Sequence, residues 1–236
     1  MTPAPRHDAP VLRVASLTKA YRSPDGDVTP VLDIPSLELR AGEQVALRGA
    51  SGSGKTTLLH IIAGILTPDG GRVEIDGVDI TARGEAERDA LRAERIGYVF
   101  QTFNLLQGYS ALENVLLGMM FGRGADRAAA AALLTRVGLG SRLDYRPRQL
   151  SVGQQQRVAV ARALAGRPRL VLADEPTGNL DARHGAEALT LIREVCREQG
   201  AALLLVSHDP AVLGQFDRVD DLAALNRVLS APAEVG

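Results

Sequence analysis

The stretch "GASGSGKTT", residues 49–57, constrains this chain more than any other. It fits G-x-x-x-x-G-K-[ST] and stands between the apolar run "EQVALRG" (43–49) and a helical run over 55–66. Strand, glycine-rich loop, helix is the context in which this pattern cradles phosphate. Gly49, Gly52 and Gly54 let backbone N–H groups approach phosphate oxygens with no Cβ in the way. The following helix points its positive end at the same anion. Lys55 is expected to neutralise the β- and γ-phosphates and the hydroxyl of Thr56 to ligate Mg²⁺. Ala50, Ser51, Ser53 and Thr57 are expected to complete the nucleotide-binding stretch. The alternative is a Gly/Ser-rich strand-to-helix turn with an incidental lysine, and the full motif in its required context weighs against it.

Composition narrows what surrounds such a loop. The 236 residues suffice for one large domain or two small ones with a substantial core. Lys plus Arg (27) nearly balances Asp plus Glu (28). There is therefore no overall pull toward nucleic acid or anionic lipid, and no nucleic acid partner is expected. Trp is absent, which argues against a stacking platform for single strands. The single cysteine, Cys196, excludes an intrachain disulfide and points to a reducing compartment. The start of the chain has no apolar core of signal-peptide length. Apolar runs such as "AALLLV" (201–206) fall short of the ~20 residues that span a bilayer. A cytoplasmic protein is expected.

"VEIDGVDI" (73–80) reads as an Asp-Gly hairpin, so part of the sheet is antiparallel. "EQVALRG", "PRLVLADEP" (168–176) and "AALLLVSHD" (201–209) are short apolar runs that end in polar residues, as parallel strands covered on both faces do. Helical stretches lie at 55–66, about 126–137, 154–166 and 184–199. "SALE" (110–113) adds a capping box with Ser110 as N-cap. An α/β core, an antiparallel portion and a mostly helical insert over about 103–165 follow. The ends, 1–10 and 230–236, are expected to be loose. Ligands of open parallel sheets bind beyond the carboxyl ends of the strands. All three apolar strands deliver polar residues to that edge.

Those residues suit phosphate chemistry. Asp174 fits a Mg²⁺ partner opposite the phosphate loop. Glu175, one residue on, is placed to polarise an attacking water as general base. His208 ends the third strand, where a neutral imidazole can hydrogen-bond the γ-phosphate or position the water. His7, His60 and His184 have no such context and receive no role.

With these residues in hand, the chain resembles the ATP-binding subunits of ABC transporters over about residues 11–220. "GASGSGKTT" matches their Walker A loop, Gln101 in "IGYVFQTFNLL" their Q-loop, and "LVLADEP" their Walker B strand. "LSVGQQQRVAVARAL" matches their signature, "GNLD" (178–181) their D-loop, and His208 their switch histidine. The resemblance implies a P-loop NTPase core over 11–225 that uses ATP and Mg²⁺. It implies that Tyr21 stacks on adenine, that Gln101 serves both metal and catalysis, and that Asp181 acts in the D-loop. It also implies an ATP-bound homodimer in which Ser151, Gly153 and Gln154 serve the partner's nucleotide. "VFQTFNLLQGYSALENVLL" with "DEPTGNLD" is similar to the subgroup that partners lipoprotein-releasing, macrolide-exporting or cell-division membrane subunits.

An integral membrane permease partner and a peripheral place on the inner face of the cell membrane follow as expectations. Phe103, Leu105 and Leu106 are the candidate permease contacts. Two departures from the family stand out. Val152 replaces the first glycine of the usual pair, at a cost of about 1–3 kcal/mol if its φ must be positive. The tail "FDRVDDLAALNRVLSAP" lacks the usual final strand and glycine turn. A soluble ABC ATPase acting on DNA or ribosomes is one alternative. A regulatory ATP binder that hydrolyses poorly is the other, and it rests on Val152.

Overall fold

The structure, a computed structural model, describes residues 9–122 and 124–230. His7 and most of the two expected loose ends lie outside the described residues, but Pro10 already begins a strand and Ser230 ends a helix.

Strands β1 (Pro10–Arg22) and β2 (Val28–Arg40) form a long antiparallel hairpin. β3 (Gln44–Arg48) runs into the glycine-rich loop and helix α1 (Lys55–Ile62). β4 (Gly70–Ile75) and β5 (Val78–Asp79) make the expected hairpin, with Asp76 and Gly77 both at positive φ as a two-residue turn demands. Helix α2 (Glu85–Arg95) and strand β6 (Ile96–Val99) come next. The helical portion holds α3 (Ala111–Met120), α4 (Arg127–Arg136), two 3₁₀ turns and α5 (Val152–Leu164). The chain then alternates: β7 (Leu170–Asp174), α6 (Ala182–Gln199), β8 (Ala202–Ser207), α7 (Pro210–Leu213) and β9 (Arg218–Asp221). Two short helices, α8 (Leu222–Leu225) and α9 (Arg227–Ser230), follow β9.

One sheet is parallel, in the order β6-β7-β8-β3-β9; the other is antiparallel, in the order β2-β1-β4-β5. β7 and β8 are buried at every residue, which explains their unbroken apolar sequence. Their alternate side chains feed two cores, because successive strand residues face opposite ways. Leu170, Leu172 and Leu204 join α1 and the antiparallel sheet through Leu12, Ile34, Leu58 and Val73. Val171, Ala173 and Leu203 join α6 and the helical portion through Ile192, Leu112, Leu134 and Val158. The phosphate loop thus sits over one core and the signature helix over the other. Cys196 lies in the second core, where burial pushes its thiol up to about 12 and makes it inert.

Candidate active site

The parallel register brings the polar strand ends together. Arg48, just before the loop, pairs with Ser207, and Asp174 pairs with Val206. A cavity of about 440 Å³ opens there, lined by Ser51, Gly52, Gly54, Lys55, Thr56 and Thr57 of the loop and helix. Tyr21, Gln101, Asp174, Glu175 and His208 complete the expected set, and Val31 joins them unforeseen. Gly49, Ala50 and Ser53 belong to the same loop but do not line this cavity.

Inside the loop, Lys55 is buried and donates from Nζ to the carbonyls of Gly49 (2.8 Å) and Ala50 (2.9 Å). Gly52 and Gly54 have positive φ, which explains why glycine is required at both. The Ser53 hydroxyl is buried without a partner, an expensive arrangement in a fold and an available donor beside an anion. Thr56 Oγ1 donates to Asp174 Oδ2 at 2.9 Å across 118 positions of sequence. Burial, then the charge of Glu175, raises the Asp174 carboxyl above its ordinary value despite that hydrogen bond. No cluster of three or more His, Cys, Asp or Glu suited to a metal exists among the described residues. A hydroxyl and one carboxylate instead fit Mg²⁺, which takes few protein ligands and completes its shell with phosphate and water.

Glu175 has the most constrained geometry. Its φ is 45°, in the left-handed region that non-glycine residues seldom adopt. Hydrogen bonds hold that backbone on both sides: Glu175 N donates to Val206 O at 3.0 Å, and Gly178 N donates to Glu175 O at 3.0 Å. The carboxylate is thereby turned so that Oε1 accepts from His208 Nδ1 at 2.8 Å and lies 3.5 Å from Lys55 Nζ. Strain of this kind persists where surrounding structure over-determines it, and it clusters at functional sites.

The remaining expected residues lie outside that cavity. Ser151 caps α5 and Gln154 closes the box: Gln154 N donates to Ser151 Oγ, and Ser151 N to Gln154 Oε1. Gln155 Nε2 reaches Leu150 O, and Gln156 Nε2 reaches Pro176 O just beyond Glu175. All three amides therefore bond the chain's own backbone. Val152 is the first residue of the helix, exposed and absent from the positive-φ positions, so no strain is stored there. Gly153 is small because a side chain faces it: an added Cβ would stand 3.2 Å from His184 Cδ2. His184 in turn bonds Asp181 through ring Nδ1 (2.6 Å) and backbone N (3.0 Å). Those bonds hold Asp181 below the ordinary carboxylate value. A lone histidine on an exposed helix turn gave no signal in sequence; only the fold brings it to the signature and D-loop together.

Two other functional contacts were also invisible in sequence. Asn179 Nδ2 donates to Gln101 O at 2.7 Å, tying the D-loop to the Q-loop. Arg162 of α5 donates to the carbonyls of Phe103 and Asn104, tying the signature helix to the segment after Gln101. That segment is less exposed than expected. Leu105 is buried in the helical core and Phe103 packs on it, so neither is an open contact; Leu106 is exposed. A groove of about 700 Å³ lies instead between α2, β6 and the end of α3, lined by Ala90, Ala93, Leu117, Phe121 and Arg162.

The family model described as ABC transporter matches residues 32–178. The lipoprotein-releasing system ATP-binding protein LolD of Shewanella sp. (strain MR-4) is 45% identical over 229 residues, covering 95% of this chain and 97% of that one. The macrolide export ATP-binding/permease protein MacB of Syntrophobacter fumaroxidans is 46% identical over 207 residues, which are 86% of this chain but 29% of that protein. Among solved structures, the dimeric post-hydrolysis state of the ATP-binding cassette MJ0796 bound to ADP and Pi superposes with a TM-score of 0.80. Its identity is 37%, covering 89% of this chain and 93% of that one.

Proposed function

The chain belongs to the ABC transporter family and is a Mg²⁺-dependent ATPase of its ATP-binding subunits, and we propose that its site residues act as follows. Lys55 and the loop N–H groups hold the β- and γ-phosphates. Thr56 and Asp174 hold Mg²⁺, with Gln101 at the rim of the same cavity. When bound between them, Mg²⁺ would supply Lewis-acid withdrawal of charge from the phosphate oxygens. Glu175 accepts the proton of the attacking water, and His208 orients its carboxylate. The observation that carries this reading is the Glu175 carboxylate, fixed by a left-handed backbone between His208 and Lys55.

Residues 11–225 form one ATP-binding domain in this reading, with the helical portion at about 103–165. Two copies close head to tail, so that Ser151 and Gly153, at the positive end of α5, meet the partner's γ-phosphate. Asp181 and Gln154 stand at the same face. The macrolide-export relative carries ATP-binding and permease functions under one name, and this chain spans 29% of it. A separate integral membrane permease supplies the remainder, and the chain sits peripherally on the inner face of the membrane through it. None of its described helices is long and apolar enough to cross a membrane. The groove beside Leu117 and Phe121 receives the permease segment; Phe121 is 77% exposed, an unusual state for so large an apolar side chain. ATP-driven closure and reopening then moves the permease. Val152, unstrained, gives no ground for a poorly hydrolysing subunit.

The test is a mixing experiment. Ser151→Arg retains an intact phosphate loop and Lys55→Ala an intact signature. Each alone should lack turnover, and their mixture should regain it through composite sites. If either variant alone turns over at the wild-type rate, or the mixture stays inactive, the shared site is refuted.

A further inference from the structure

The tail after β9 touches both flanks of the phosphate loop. Asn226 is fully buried between α8 and α9. Its Oδ1 accepts from Asp33 N at 2.8 Å, and its Nδ2 donates to Val31 O at 2.8 Å. Its side chain therefore mimics one rung of a strand pairing along the edge of β2, where no strand among the described residues pairs. Val31 lines the nucleotide cavity, and the same Val31 carbonyl stands 3.3 Å from where a Cβ on Gly54 would be. Leu32 Cδ2 lies 2.9 Å from that same point. The backbone held by Asn226 is thus the wall against which the left-handed Gly54 closes.

The second contact lies at the loop's other end. Asp221 Oδ2 accepts from Arg48 Nε at 3.1 Å, one residue before Gly49, and the Arg48 guanidinium holds the Asp221 carboxyl below its ordinary value. The same Asp221 caps α8 through Oδ1 to Ala223 N. Between the two clasps, Leu222 is fully buried and Leu225 packs onto the core that carries Leu58 and Leu59 of α1. The stronger clasp is Asn226, because a buried amide with satisfied bonds is costly to disturb, whereas Arg48–Asp221 is exposed to screening.

We propose that residues 221–230 clasp the phosphate loop from both flanks, with Asn226 a positioning residue that sets nucleotide affinity through Val31 and Gly54. This rests on the reading of that cavity as the ATP site. It makes the tail a handle: anything that lifts α8 and α9 from β2 loosens the nucleotide.

Mg-ADP, which is not hydrolysed, is the probe, titrated calorimetrically into the full chain well below its melting temperature. Asn226→Ala should raise the Kd several-fold to about tenfold, the affinity equivalent of about one to two lost hydrogen bonds. Asn226→Asp keeps the acceptor for Asp33 N but loses the donor to Val31 O. It should raise the Kd as well, and it keeps the test open if the alanine variant does not fold. Combined with Val31→Ala, either variant should show less than the sum of the two effects, because both act through one wall. A lowered melting temperature with an unchanged Kd would make Asn226 a structural residue only and overturn the proposal. Wild-type chain that binds no Mg-ADP would overturn the nucleotide reading itself, and the clasp with it.

Discussion

Gly54→Ala is the perturbation whose size can be worked most fully from the geometry. Gly54 has φ 93°, so an alanine there carries the left-handed penalty, about 1 kcal/mol. Its Cβ would also stand 2.9 Å from Leu32 Cδ2, 3.1 Å from Val31 Cγ1 and 3.3 Å from the Val31 carbonyl. Leu32 is buried and Val31 is held by Asn226, so neither yields freely. Overpacking of this kind costs about 1–3 kcal/mol, which gives a total of about 2–4 kcal/mol. Gly52 is the built-in control: its φ is 78°, yet an added Cβ would meet nothing within 4 Å. Gly52→Ala should therefore cost only the conformational share, about 1 kcal/mol. Urea unfolding of the two variants beside wild type, each with and without Mg-ADP, measures both quantities. Equal destabilisation by the two substitutions, or a Gly54→Ala cost below about 0.5 kcal/mol, would refute the wall at Val31 and Leu32.

Other perturbations probe the frame around the site. Asn114 is fully buried, accepting from Leu106 N and donating to the carbonyls of Leu106, Tyr109 and Ser110; Asn114→Leu should lower the urea unfolding free energy by about 2–4 kcal/mol through orphaned backbone groups. Val152→Gly relieves no strain and removes a better helix former, so thermal unfolding should show a loss of up to about 1 kcal/mol rather than a gain. At Asp79, burial raises the carboxyl, but hydrogen bonds from Thr81 and Ala82 and the charge of Arg72 outweigh it and lower the pKa below 3.8. The unfolded chain then binds that proton more tightly, so the stabilisation is complete above pH 4 and is lost as pH falls through the folded value. Asp79→Ala should accordingly cost about 1–2 kcal/mol near pH 7 by urea unfolding and progressively less below pH 4.

How much was legible in the sequence depended on range. The hairpin at 73–80 and the cap at Ser110 are local patterns, and both stand as read. The long β1–β2 hairpin was missed because a break at Ser16, with φ 49°, interrupts the alternation that marks a strand. Helices α8 and α9 have four residues each, too few to leave a period. The phosphate loop, Asp174, Glu175 and His208 were readable because each ends an apolar strand at the edge where parallel sheets bind ligands. His184, Arg162 and Asn226 were not, since what they do is set by partners 31 to 195 positions away that no spacing rule connects: Gly153 lies 31 positions from His184, Phe103 59 from Arg162, and Val31 195 from Asn226. Leu105 was misjudged for the opposite reason: an apolar residue near a functional loop reads the same whether it faces a partner or its own core.

The central claim is that Ser151 and Gly153 complete a second copy's nucleotide site while Glu175 is the base that reopens the pair. Light-scattering mass of Glu175→Gln, with and without Mg-ATP, tests both halves at once. The account predicts one chain without nucleotide, two chains with Mg-ATP, and no turnover. A mass that stays at one chain while Mg-ATP binds, or turnover near the wild-type rate, would contradict it.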